Sequence, residues 1–174
     1  MMGKPSAVRI APDRRWTHSQ KAARLFQAQL GVEQTPDEIA AACGLPPEQV
    51  GEATDGCGMR THHVPLPAVA RAFARLASGE LGEAGDRVAR AMRAHPRLVA
   101  FRGAIDTELM AATPGVVAKI GAEGLIGIGL PDGRGAAVKV LDGALRALEP
   151  AAVAVGGSVR GLPVDAPGLG AGAR

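Results

Sequence analysis

The 174-residue chain reads as an α/β protein in which helices pack on a small antiparallel sheet. Two changes of pattern and one compositional fact carry that expectation. Apolar residues recur at three- and four-residue spacing in several segments between Ser19 and Met110, then alternate in strand fashion between Val116 and Val140. With 47% apolar and 21% charged residues, the chain has the material for a packed core. Its only aromatics are Trp16, Phe26, Phe73 and Phe101, so that core is built from Ala, Val, Leu and Ile, and 24 glycines let backbones approach closely.

Residues 1–18 carry Gly3, Pro5, Pro12, Arg9, Arg14 and Arg15 without periodicity and read as a loose lead-in. Residues 19–30 place Ala22, Leu25, Phe26 and Leu30 on one helical stripe, stopped by Gly31. A shorter helix runs from Thr35 or Pro36 to Ala42, with Thr35 as cap, Glu38 returning the capping-box bond and Gly44 as terminator. The clearest helix follows Pro65 and Pro67. There Leu66, Val69, Ala70, Phe73, Leu76 and Ala77 share a stripe opposite Arg71 and Arg75, and Gly79 closes it. The helix expected over 83–94 buries Val88, Ala91 and Met92, turns Arg87, Arg90 and Arg93 to water, and ends at His95-Pro96. Asp106 is placed as the cap of a short helix through Met110.

Beyond Pro114-Gly115 the period becomes that of strands over 116–119, 125–130 and 136–140, with Pro131 to Gly135 as the turn of a hairpin. Ile126, Ile128 and Leu130 share one face of the middle strand, and Gly127 and Gly129 leave the other bare, which implies a closely packed neighbour. Asp142-Gly143 opens a last helical stretch, interrupted or restarted at Pro150. Residues 19–155 thus read as a single domain and 156–174 as a flexible Gly/Pro-rich tail. There is no internal repeat.

Charge and composition exclude several classes. The net charge of +3 reflects near balance, with no basic stripe, and the scarcity of aromatics argues against a stacking platform for single-stranded nucleic acid. No apolar run reaches the roughly 18 residues of a membrane span, and the N-terminus has no signal-like apolar core. The expectation is a cytoplasmic protein that binds neither membrane nor nucleic acid. Cys43 and Cys57 make at most one disulfide and no metal-finger framework.

Two places offer chemistry. Around Cys57 two glycines free the backbone to present the thiol and the Asp55 carboxylate at a surface cleft; the alternative is a Gly-rich turn around an inert buried cysteine. Lys119, one of four lysines, follows Val116, Val117 and Ala118. At the edge of an apolar strand its amine is expected to be desolvated and able to take a proton from a hydroxyl nucleophile; the alternative is a lysine that snorkels to water. Weaker signals are His62 and His63 near Cys57, which with Cys43 invite a zinc or nucleophile site without the spacing of one. Residues 35–50 outline a helix-turn-helix whose recognition helix would hold Glu48 and Glu52 and no basic residue. Arg71, Arg75, Arg87, Arg90, Arg93 and Arg97 read as solvated helix faces, and the glycines of 121–135 miss both nucleotide-binding spacings.

The blocks DGCG at 55–58, VAKIGAEG at 117–124 and PAAVAV at 150–155 resemble, in unbroken order over about 50–155, the C-terminal half of the thermolabile, asparaginase II-like L-asparaginases. Residues 1–49 show little of this likeness. The resemblance implies hydrolysis of the side-chain amide of L-asparagine to aspartate and ammonia. It implies a fold like that of serine β-lactamases and glutaminases, with two serine–lysine pairs beside a zinc site. On this reading Lys119 is a serine's lysine partner, Cys57 one of two zinc-ligating cysteines, and Asp55 a neighbouring acid that orients the substrate amine or the lysine.

The family's N-terminal half supplies a serine-x-x-lysine motif, a second nucleophilic serine and further zinc ligands. None of the serines here, Ser6, Ser19, Ser78 and Ser158, has a lysine three residues on, and Arg60, His62 and His63 depart from the family's usual residues. The expectation is an asparaginase-family chain lacking the serine–lysine half, partnered by that half or by copies of itself. The alternative is a catalytically silent binding or oligomerisation module, with a helix-turn-helix DNA binder a distant third. Lys119 and Cys57 are expected to meet at one pocket.

Overall fold

The computed structural model describes residues 36–54, 58 and 60–160, the last five by backbone alone. The lead-in, the helix expected over 19–30, the Thr35 cap, and residues 55–57 lie outside the described residues. The elements run α1 Pro36–Cys43, a 3-10 turn Pro47–Gln49, β1 Gly51–Thr54, β2 Arg60–His63, α2 Leu66–Ser78, α3 Gly82–Ala94, α4 Pro96–Val99, α5 Ile105–Ala112, β3 Val117–Gly121, β4 Leu125–Gly129, β5 Gly135–Lys139 and α6 Leu145–Arg160. The α/β expectation, helices on a small antiparallel sheet, holds. Contacts divide the chain into two units, one of Thr35–Gly51 with His62–Arg174, the other of Met1–Gln34 with Glu52–Thr61.

The larger unit is organised by the sheet β3-β4-β5, antiparallel throughout, with Lys119 opposite Gly127 and Gly127 opposite Ala137. Alternation assigns the faces. Ala118, Ile126 and Ile128 point to one side, where they form the main core with Ile105, Leu109 and Met110 of α5 and Leu148 and Ala152 of α6. Val117 points to the other side and packs with Phe73 and Ala77 of α2 and Ala89 and Met92 of α3.

On that second face the bare glycines meet α2 itself. A Cβ on Gly127 would sit 2.3 Å from the Phe73 ring, one on Gly129 would sit 1.9 Å from the Phe73 carbonyl oxygen, and one on Gly135 would sit 2.2 Å from that of Ala70. The neighbour implied by Gly127 and Gly129 is therefore α2, through the Phe73 ring at Gly127 and the helix backbone at Gly129, and α2 presents small Ala74 and Ala77 there. Its ends follow the sequence: Pro65 precedes the first turn, and Gly79 at φ +89 closes the last, its N–H donating to Arg75 O.

Several expectations are corrected. α3 turns Ala89 inward at 2% exposure and leaves Val88 51% exposed, with Ala91 also outside. Gly85, Ala89 and Met92 make the inner stripe, because close packing on α2 selects small residues at helical spacing over the larger Val88. Arg93 is not solvated either: its Nη2 donates to Ala77 O at 2.7 Å. Arg71 and Arg75 reach across to the C-terminal end of α1, where Arg71 donates to Cys43 O at 3.0 Å and Gly44 O at 2.9 Å, and Arg75 to Ala41 O and Ala42 O. These carbonyls have no partner within α1, so the guanidinium groups complete the helix end.

The helix-turn-helix reading fails at its second helix. After α1 the chain makes a 3-10 turn at Pro47–Gln49 and enters β1, so no recognition helix forms over 47–54. α6 is continuous through Pro150, contrary to the expected interruption, and takes in residues 156–160 of the expected tail. Its entry is set by Asp142, whose Oδ1 accepts the Ala144 N–H at 2.9 Å and whose Oδ2 accepts from Arg146 at 3.1 Å. β1 and β2, which no expected strand covers, pair as a two-stranded sheet with Glu52 and Arg60 3.6 Å apart. Polar, mostly exposed strands carry no apolar alternation to reveal them.

The sheet's two edges differ. The backbone bonds Leu130 N–H to Arg134 O and Val140 N–H to Gly124 O turn the even-numbered groups of β5 inward. Gly135, Ala137 and Lys139 therefore direct their N–H and C=O outward along an edge that no strand among the described residues covers. The outer edge of β3 is covered, with Ala118 fully buried. Among the described residues no helix is long and apolar enough to cross a membrane.

Candidate functional site

What covers β3 is the start of α5, and the contact contains the one fully buried charged side chain among the described residues. Asp106 was expected to cap α5; instead Ala104 stands at the cap position and Asp106 lies within the first turn at 0% exposure. Its Oδ1 accepts the Thr107 N–H at 3.0 Å, and its Oδ2 accepts the Ile120 N–H at 3.0 Å. The Ile120 N–H points away from β4, so the carboxylate supplies the acceptor that a further strand would otherwise give. A carboxylate in a first helical turn is also favoured by the helix dipole.

Lys119, in the middle of β3, brings its Nζ to the same Oδ2 at 3.3 Å and donates to Ile120 O at 2.9 Å. Its side chain remains 43% exposed. The amine is thus not desolvated among apolar side chains as expected, nor free in water. It is tied to a buried carboxylate whose charge it compensates, an arrangement that burial requires. An ammonium has three N–H donors, and two are engaged within the chain. With the side chain 43% exposed, the third can donate to a hydroxyl or amide oxygen or oppose developing negative charge. Thr107, almost as buried, donates through Oγ1 to Pro96 O at 3.3 Å and fixes α5 against α4.

Sequence reasoning singled out the lysine and missed its acid. The signal was present: in Ile105-Asp106-Thr107-Glu108-Leu109-Met110 an aspartate is flanked by positions that all turn out buried except Glu108.

Asp55 and Cys57 lie outside the described residues, so the structure gives no distance from either to Lys119. Gly58 beside them is at φ +82, the left-handed backbone expected of this segment. Cys43 is a free thiol, 6% exposed; burial pushes its pKa up from the ordinary 9.0, while the guanidinium groups of Arg71 and then Arg75 pull in the opposite direction. It has the character of an inert core thiol. Among the described residues no three His, Cys, Asp or Glu side chains converge to hold a metal ion, and the Cys57 thiol of the weaker idea that joined it to Cys43, His62 and His63 lies outside them.

Against known proteins, the family model described as L-asparaginase II matches residues 17–162, which extends the likeness seen over about 50–155 at both ends and takes in most of residues 1–49. No curated protein sequence matches the chain.

Proposed function

The chain belongs to the L-asparaginase II family, and from that premise we propose that it serves the hydrolysis of a small carboxamide such as L-asparagine, with Lys119 as the amine beside the reacting hydroxyl. The observation that carries the reading is the placement of Lys119: a lysine of the matched region, held by a buried carboxylate with its own side chain still 43% exposed. In this reaction a serine Oγ attacks the amide carbon while the Lys119 ammonium gives a proton to the leaving nitrogen and takes the serine's proton in its place. Ammonia departs, the ammonium is restored beside Asp106, and water then cleaves the ester to release aspartate. Asp55 orients the substrate's ammonium group. A zinc ion, when bound, would draw on the Cys57 thiolate, and no step above depends on it.

No serine of these 174 residues stands in the serine-x-x-lysine pattern, so this reading draws the nucleophile from a serine-bearing half outside them, and the assembled site acts on the free amino acid in the cytoplasm. A second reading, a catalytically silent binding or oligomerisation module, is favoured by the edge of β5, which no strand among the described residues covers and where Gly135, Ala137 and Lys139 offer backbone groups to a further strand.

Ammonia release from L-asparagine tests the first reading. The chain alone releases none, and mixing it with the N-terminal half of a full-length family member yields ammonia that Lys119→Ala abolishes. Turnover indifferent to Lys119→Ala overturns it, and failure of the mixture to turn over while the chain self-associates in sedimentation favours the second reading.

A further inference from the structure

We infer that Asp106 is the positioning residue of Lys119: its carboxylate fixes where the Nζ stands and leaves that group a single outward donor. The inference deepens the amide-hydrolase reading and rests on it for its functional meaning, but the coupling itself is a property of this chain.

The two partners are unequal. Asp106 has no exposed surface and is held by two backbone N–H groups from different elements, Thr107 of α5 and Ile120 of β3, each at 3.0 Å. It cannot follow the lysine. Lys119 is 43% exposed, sits on a flexible stem, and in isolation would sweep a wide arc. The fixed acid and the Ile120 carbonyl, at 3.3 Å and 2.9 Å, hold its amine to the strand edge. Backbone hydrogen bonds alone do not account for an aspartate here. A full negative charge with no exposure is retained only where a cation compensates it, and Lys119 is the cation in salt-bridge range. The pair therefore has an immovable buried half and a reachable half, the arrangement needed to aim one N–H at an incoming oxygen.

The test reads the amine without any turnover, so it can fail or succeed independently of asparagine hydrolysis. The full chain is treated briefly with an amine-selective acylating reagent, and modification at Lys119 and Lys139 is quantified by mass spectrometry. Asp106→Asn is expected to raise the Lys119-to-Lys139 ratio at least threefold; loss of folding alone would expose both lysines and leave the ratio near its starting value. Because a buried Asn can prevent folding, Lys119→Met provides a second arm with Asp106 and its backbone bonds intact. Its urea midpoint is expected to fall, since the carboxylate loses its counter-charge. Where Asp106→Asn folds, adding it to Lys119→Met costs less than half of what it costs alone. An unchanged acylation ratio in an Asp106→Asn chain that retains its folded circular-dichroism spectrum, or a Lys119→Met chain with the midpoint of the original, overturns the inference.

Discussion

The ring of Phe73 fills the space that a side chain on Gly127 would need: a Cβ there would lie 2.3 Å from it. Two residues far apart in sequence thus share one volume, and α2 rests on β4 as closely as the glycine permits. Such contacts transmit small changes, because close-packed interiors have little room to relax.

Gly127→Ala is accordingly expected to cost about 1–3 kcal/mol through overpacking. Phe73→Leu in the same chain recovers part of that loss, because the obstruction is a side chain. Gly129→Ala meets the Phe73 carbonyl oxygen at 1.9 Å, a backbone atom, so Phe73→Leu does not rescue it. Urea unfolding of the single and paired substitutions checks both statements.

Removing the guanidinium of Arg75 leaves Ala41 O and Ala42 O without their side-chain donor. Arg75→Ala should lower stability by about 1 kcal/mol, in the range of a helix-end hydrogen bond. Backbone hydrogen exchange should rise in α1 more than in α6, which localises the effect.

The Cys43 thiol sets a pH dependence. Burial raises its pKa in the folded chain above the ordinary 9.0, so the folded state holds this proton more tightly than the unfolded state. Its contribution to stability is fully present below pH 9.0 and is lost as pH rises through the folded value. Unfolding curves measured across the alkaline range should therefore fall less steeply in Cys43→Ala. In Arg71→Ala, where the strongest opposing charge is gone, the thiol's pKa rises further and the loss extends to higher pH.

Pro150 lies inside α6 and cannot donate to the carbonyl of Arg146. Pro150→Ala restores that bond and removes the ring, partly offset by the greater freedom of the unfolded chain. A net gain of about 1 kcal/mol is expected, read as a higher urea midpoint.

The legible parts of the fold were those where one physical requirement dominates. Gly79 and Pro65 bracket α2 because chain reversal and helix entry demand such residues, and Ile126, Ile128 and Leu130 reveal a buried face by alternation alone. The bare face of Gly127 and Gly129 announced a close neighbour, though not that it would be α2. α3 was misread because its inner stripe is chosen by size, which leaves Val88 outside and Ala89 inside. The arginines of α2 were misread because their partners, the carbonyls ending α1, come together only in the folded chain. At the site, Lys119 was visible as a rare charge in an apolar strand. Its tie to Asp106 was not, since a carboxylate early in a helix has a sufficient local explanation as a cap, and the Ile120 N–H that it accepts lies in a strand, fourteen residues later.

The carboxylate of Asp106 has one more effect, on how copies of this sheet can associate. By engaging the Ile120 N–H it occupies the side of β3 on which another strand could dock, and among the described residues the border of this sheet that remains is that of β5. Two molecules joining through that border would each cover the other's. The three-stranded sheet then closes as a two-fold pair instead of extending strand by strand.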